Sequence, residues 1–339
     1  NGMGKQWRWL AKIFAFFGAG VGLFGIGTFT QVNGIASAVK NFFDPDTVHT
    51  VSLFGNTYSW ATVIACLILT LCVGLVVLGG IQRIAKVSQI IVPFMAVLYV
   101  ALALIIVITN ITAVPGAIAT IVKTAFNGSA LAGGAMGTMV VAMQKGIARG
   151  IFSNEAGLGS SPIVAAAAKT NSGVRQGLLS MTSVFVTTIL TCSMTGLVII
   201  SSGLMNSSDM NGSTLVTAAY NMCLPHNIGK YLIAVGIMFF AFTTILGWNY
   251  YGERCLVYLT GTTKWIKPYK IIYIAAIALA PFLSLEPIWL LADITNALMI
   301  IPNLIAIIAL RKVIIGETKL YFSKPNIKKV SVGVKATES

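Results

Sequence analysis

Long apolar runs, each near the length of a bilayer crossing, recur along this chain between short polar or basic stretches. A spanning helix needs about 20 mostly apolar residues. The runs at 10–38, 58–79, 84–109, 134–168, 176–202, 229–259, 269–285 and 288–310 therefore predict eight transmembrane helices. Several exceed one perpendicular crossing, so tilt, an interfacial extension or a break must absorb the excess. Between them, "ITAVPGAIATIVKTAF" (111–126) is apolar, short and interrupted, and predicts an interfacial or re-entrant helix. "SSDMNGSTLVTAAY" (207–220) reads as a polar loop leading into a short helix.

The fourth run breaks the pattern. "GIARGIFSNEAGLGSSPIVAAAA" (146–168) puts Arg149, Ser153, Asn154, Glu155 and four glycines at membrane depth. Glycine weakens a helix, and Ser and Asn bond their own backbone instead. The pattern predicts two half-helices, 134–148 and 158–168, flanking an unwound "RGIFSNEAG". Such backbone is tolerated at that depth only inside protein or against a wet cavity, and broken helices are the usual construction of secondary-transporter sites. The N–H end of the second half-helix would attract a carboxylate and the carbonyl end of the first a cation. The plainer reading is a glycine-rich packing helix in which Arg149 and Glu155 pair. Intramembrane ionisable groups are costly and usually functional, which favours the broken helix.

Other polar positions fall inside apolar runs. In the first span Gly20, Phe24, Gly27, Gln31 and Gly34 share one helical face, which reads as a cavity wall or as a packed seam with one interhelical amide bond. In the sixth, "FAFTTILGWNYYGE" (240–253) sets Thr244, Trp248 and Tyr251 on one face. Thr243 and Thr244 offer adjacent hydroxyl oxygens suited to Na+, unless they merely bond their own helix. The fifth carries a hydroxyl stripe, Thr187, Thr188, Thr191 and Thr195. In the last, Asp293 and Asn296 lie one turn apart; Asp293 is a gate, an ion-path group, or an ion-pair partner of a neighbouring helix.

Composition agrees with the pattern. The chain is 56% hydrophobic and 9% charged, against about 25% charged in soluble domains, so this is an integral membrane protein. The net charge of +14 comes from basic residues flanking the spans, not from a nucleic-acid surface. With the N-terminus inside, Lys5, Arg8, Lys12, Arg83, Lys86, Lys169, Arg175, Arg254, Lys264, Lys267, Lys270 and the tail from Arg311 to Lys335 are cytoplasmic, while Lys40, Lys123 and Lys230 are external. This fits the positive-inside rule and predicts a multi-pass protein of the cell (plasma) membrane with both ends of this chain cytoplasmic. Its Lys-rich tail, 311–339, would lie near anionic lipid. The cysteines at 66, 72, 192, 223 and 255 have no metal or redox spacing and read as free thiols, and the histidines at 49 and 226 fall in loops. No transition-metal site, organic cofactor or nucleophile–base pair is expected, so the chain is not an enzyme.

At these residues the sequence resembles the alanine/glycine:cation symporter family, or sodium:alanine symporters. "GIARGIFSNEAGLGSSPI" is close to that family's signature. "GIGTFTQVNGIA" (25–36), "VRQG" (174–177), "TTILGWNYYGE" and "LADITNALMIIPNL" (291–304) follow in the expected order. The resemblance implies an all-α, leucine-transporter-like fold with two inverted five-helix repeats and alternating access. The eight spans would be core helices 3 to 10, in a chain truncated before core helices 1 and 2. The remainder of the first repeat would occupy 1–127 and the second repeat 128–310. It also implies Na+-coupled symport of a small neutral amino acid, alanine or glycine. Gln31, Phe152, Ser153, Asn154, Thr244 and Trp248 would face the substrate, Thr243 and Thr244 would help hold Na+, and the unwound 150–157 would lend backbone groups. Arg149, Glu155, Asp293 and Asn296 would be gating or structural. The chain departs from the family pattern at Thr187-Thr188, Ala165 and Gly173. The alternatives are a proton-coupled symporter, a non-transporting fragment and an ion channel.

Overall fold

A computed structural model describes residues 2–53, 55–126, 136–204, 212–283 and 285–323 of the chain. It is an all-α membrane architecture with one small β-hairpin. The first span is α1 (Arg8–Phe24), a π-helical turn (Ile26–Thr30) and α2 (Gln31–Phe43). The hairpin β1 (Thr50–Leu53) and β2 (Asn56–Ser59) pairs Thr50 with Ser59 and Leu53 with Asn56, and leads into α3 (Trp60–Leu78) and α4 (Gly80–Thr109). A short α5 (Val114–Phe126) precedes the fourth span, α6 (Met136–Asn154) and α7 (Ser161–Ala165). The fifth is α8 (Gly173–Val184), a π-helical stretch (Phe185–Cys192) and α9 (Ser193–Ser201). Then come α10 (Ser213–Cys223), α11 (Ile228–Thr260), α12 (Ile266–Leu279), α13 (Leu285–Ala309) and α14 (Arg311–Ser323).

Among the described residues, six of the eight expected spans are helices long and apolar enough to cross a membrane. The fourth is not, because Gln144, Lys145 and Arg149 dilute its apolar run. The seventh is not, because α12 has 14 residues before Pro281 turns the chain into a 3-10 turn. The interfacial or re-entrant segment is the helix α5, and the loop-to-helix segment becomes α10, with 207–211 outside the described residues. The first 13 residues of the basic tail are the helix α14, and 324–339 lie outside the described residues. Leu67, Leu71, Leu75 and Leu78 on α3, and Ile90 and Val97 on α4, are exposed. Rows of bare aliphatic side chains are suited to lipid rather than water.

The first span packs across α11, and α3 packs on α12. One core joins α2, α3, α11 and α12 through Val32, Val73, Ile245 and Tyr273, and a second joins α4, α9, α10 and α11 through Ala103, Val198, Ala219 and Ile233. Helices in lipid approach through small residues, and α1 meets α11 at Gly18 and Gly22. A Cβ at Gly22 would stand 3.0 Å from the Cα of Gly252, and one at Gly18 would stand 2.6 Å from Cys255 Sγ. This seam differs from the predicted face: Gly20 and Gly34 face open space and Phe24 is 46% exposed. The reason is local. Within α1 the packed stripe runs through Gly18 and Gly22, which leaves Gly20 and Phe24 off it; beyond Gly25, whose backbone is extended, the π-helical turn shifts the phase of Gln31 and Gly34.

A buried ion pair binds the scaffold beneath the seam. Lys270 on α12 lies 3.2 Å from the Glu253 carboxylate on α11 and donates to the carbonyl of Val77 on α3 at 2.9 Å. Arg254 is a second partner of Glu253. All five cysteines are free thiols.

Candidate functional site

Two helix breaks meet at one tryptophan. The first lies at Gly25. Its backbone N–H still donates to Val21, and its carbonyl accepts from Thr28 and Phe29. The Thr28 hydroxyl donates to the Gly22 carbonyl at 2.7 Å and lies 3.1 Å from the Tyr273 hydroxyl, which itself donates to Ile245 at 2.6 Å. Side chains thus stand in for the bonds a continuous helix would make, as buried non-helical backbone requires.

The second break occupies 155–160. Glu155, Gly157 and Gly159 have φ of +54°, +81° and +91°. A left-handed residue commonly ends a helix, and it is usually glycine. Here a glutamate takes that place, held by its neighbours. Its carboxylate accepts from the Ser160 hydroxyl at 2.7 Å, and Tyr251 lines the same cavity. The Asn154 side-chain oxygen accepts from the Ala156 N–H at 2.8 Å, and its amide donates to Thr188 at 3.3 Å. Asn303 of α13 donates to the Gly157 carbonyl at 2.9 Å.

This break is shorter and later than the sequence predicts. Residues 150–154 are helical: the Glu155 N–H donates to the Ile151 carbonyl at 2.8 Å and closes the last turn, and the Asn154 side chain takes the Ala156 N–H just beyond it. The expected half-helix 158–168 is the five-residue α7, a single turn with too little aligned dipole to serve as an anion site.

Trp248 joins the two breaks. A Cβ on Gly27 would stand 1.9 Å from its indole, so the ring packs directly against the backbone of the first break. The same ring, 3% exposed, clusters with Val21, Met299 and Leu158, and Leu158 belongs to the second break. Tyr251 meets the indole edge-to-face at 5.3 Å. Tyr251 also lines a polar cavity of about 380 Å³ beside the second break, together with Ser153, Asn154, Glu155, Ser183 and Thr187.

The structure thus brings Ser153, Asn154 and Glu155 together at that cavity, and Tyr251 connects them to Trp248, which does not line it. Gln31, half-buried at the start of α2, lies outside that cavity, as do Phe152, Thr243 and Thr244. Thr243 donates to the carbonyls of Phe239 and Phe240, and Thr244 donates to Phe240 at 2.8 Å. Their oxygens keep lone pairs for another partner. The fifth-span hydroxyls divide similarly: Thr187, Thr191 and Thr195 bond their own helix, while Thr188 accepts from Asn154.

Arg149 pairs with Asp293 at 3.4 Å rather than with Glu155, and its guanidinium stacks 4.0 Å over the Trp289 ring. Phe152 meets the other side of this group, edge-to-face with Trp289. Asn296, one turn beyond Asp293, is buried and its oxygen has no partner among the described residues. Sequence reasoning missed Glu253, Tyr273 and the partnership of Thr28. An acid in "GWNYYGE" and a Thr directly after the second glycine of "GIGTFT" were the available signals. No group of three His, Cys, Asp or Glu side chains that could hold a metal ion occurs among the described residues.

Comparison with known proteins adds to this geometry. The chain matches the sodium:alanine symporter family over residues 1–334. It is 51% identical over 321 residues to an uncharacterized transporter of Haemophilus influenzae, covering 94% of this chain and 67% of that protein. It is 42% identical over 324 residues to the sodium/alanine symporter AgcS of Methanococcus maripaludis, covering 95% of this chain and 66% of that protein. A probable sodium/glutamine symporter, GlnT of Bacillus subtilis, is 38% identical over 277 residues, covering 80% of this chain and 56% of that protein. The chain thus spans two thirds or less of the length of these relatives.

Proposed function

The chain belongs to the sodium:alanine symporter family, and on that premise we propose that it takes part in Na+-coupled symport of a small neutral amino acid, alanine or glycine, by alternating access. The observation that carries the proposal is Trp248, seated on the first break and packed against the second. A substrate held there would touch both discontinuous segments, so its binding would register how they sit on the scaffold. Phe152, Ser153, Asn154, Gln31 and Thr244 complete the proposed substrate contacts as elements move. Bulky Trp248 and Phe152 limit the side chain. Thr243 and Thr244 supply hydroxyl oxygens for Na+. If Na+ favours the substrate-competent arrangement, each ligand tightens the other by the same factor.

The inverted-repeat reading, 1–127 and 128–310, draws support from the packing. The first span crosses the sixth, and the second pairs with the seventh, as two five-helix units wound together would require. Arg149–Asp293 serves as a latch between α6 and α13. The protein sits in the cell membrane with both ends of this chain cytoplasmic.

Proton coupling is the second reading, favoured by Glu155, a carboxyl on the broken helix held by the Ser160 hydroxyl. Radiolabelled alanine uptake by proteoliposomes decides between them. An inward Na+ gradient at symmetric pH should drive concentrative uptake, and Thr244→Val should raise the Na+ requirement. Uptake driven by a pH gradient and indifferent to Na+ contradicts the Na+ reading.

A further inference from the structure

The seventh span sends two tyrosines into the crossing of the first span and α11. Tyr269 and Tyr273 lie about one turn apart on α12, with rings stacked at 6.4 Å, and both are buried. The Tyr269 hydroxyl donates to the Ala19 carbonyl of α1 at 3.1 Å, and a Cβ on Gly22 or on Gly252 would collide with it. It thus fills the seam between those two glycines. Tyr273 reaches the first break. Its hydroxyl donates to the Ile245 carbonyl of α11 at 2.6 Å and lies 3.1 Å from the Thr28 hydroxyl.

Each hydroxyl carries one proton and can still accept. Thr28 divides its proton between the Gly22 carbonyl at 2.7 Å and the Tyr273 oxygen, and Tyr273 gives its own to Ile245. A continuous chain of bonds therefore runs from the first break, through α12, to α11. Its two ends flank one contact. Thr28 directly follows Gly27, and Ile245 precedes Trp248 within one turn of helix. Gly27 and the Trp248 indole are the groups pressed together between them. A neutral hydrogen bond is modest in net worth but strict in geometry, so this chain fixes position more than it adds stability.

We propose that Tyr273, acting through Thr28, is a positioning residue that sets how the Trp248 indole seats on Gly27. Neither Tyr273 nor Thr28 lines the cavity beside the second break, so the effect on a substrate is indirect. Its bearing on alanine affinity rests on the symport reading above.

Fluorine NMR of the purified protein labelled with 5-fluorotryptophan reads the indole without any ligand. The peak lost in Trp248→Phe is the one to follow. Tyr273→Phe and Thr28→Val should both move or broaden it and leave the other tryptophan peaks in place. Thr28→Ser keeps the hydroxyl and should retain the unaltered spectrum. Radiolabelled alanine, with Na+ present, should bind about threefold to tenfold more weakly to the first two variants, the worth of one such bond, and with unchanged affinity to Thr28→Ser. A Trp248 peak unmoved by Tyr273→Phe overturns the proposal. Displacement of every tryptophan peak together also overturns it, since that marks a general packing role. If the Trp248 peak moves as expected but the unaltered protein binds no alanine, the positioning role stands and the symport reading fails.

Discussion

Gly159 shows how little freedom a single residue has at the second break. Its φ of +91° lies where an L side chain is strained, and a Cβ there would stand 2.7 Å from Phe14 and 3.0 Å from Asn303. Gly159→Ala therefore costs at least about 1–2 kcal/mol from the backbone alone, and pushes Asn303 off the Gly157 carbonyl. A lower thermal-unfolding midpoint with weakened alanine binding is expected; an unchanged midpoint contradicts this. The polar residues of this break were legible in the sequence, because Asn154 and Glu155 stand out at membrane depth. Gly27 was legible only as a member of a helical face. The indole that forbids it a side chain lies 221 positions away, at Trp248, and no local pattern carries that information.

At the scale of elements, hydropathy located the long helices but not the interruption of the first one. The π-helical turn at Ile26–Thr30 keeps its backbone bonded and its residues apolar or small, so an apolar run reads straight through it. The break in the fourth span was overestimated for the opposite reason. Glycine and polar residues at 150–154 suggested unwinding, whereas the helix runs through them and ends at Asn154. The hairpin went unread because four-residue strands are too short for alternation to register. It is anchored by Asp44, whose carboxylate accepts from the Ser59 hydroxyl at 2.5 Å and from the Val48 N–H at 2.9 Å. The Ser59 bond, foremost, holds this carboxyl below the usual aspartate range. Its folded pKa being depressed, its contribution is fully present above the ordinary value near pH 4 and is lost as pH falls through the lowered one. Hydrogen exchange at Val48 and Trp60, corrected for intrinsic rates, should stay constant from neutral pH to about 5 and rise only in stronger acid. Asp44→Asn should show raised exchange already at neutral pH; protection equal to that of the unaltered chain contradicts the assignment.

For the whole molecule, the packed scaffold is the crossing of the first span, α3, α11 and α12, tied by Glu253 and Lys270. Removing one partner of a buried pair leaves the other charge stranded, at about 3–5 kcal/mol. Glu253→Gln should lower the unfolding midpoint markedly, and Glu253→Gln/Lys270→Met should recover much of the loss. A single variant as stable as the unaltered protein contradicts a structural role for the pair. Lys270 was legible only as one of many basic residues beside the spans, since its burial depends on Val77 and Glu253 arriving from distant segments. In the proposed transport cycle the second broken segment moves against that crossing, with Trp248 at their meeting. The most direct measurement is equilibrium binding of radiolabelled alanine, with and without Na+, to the unaltered protein and to Trp248→Phe. Na+-dependent binding, weakened about tenfold or more by the loss of indole contact, is the predicted result. Alanine affinity that ignores both Na+ and the substitution contradicts a coupled site at the meeting of the two breaks.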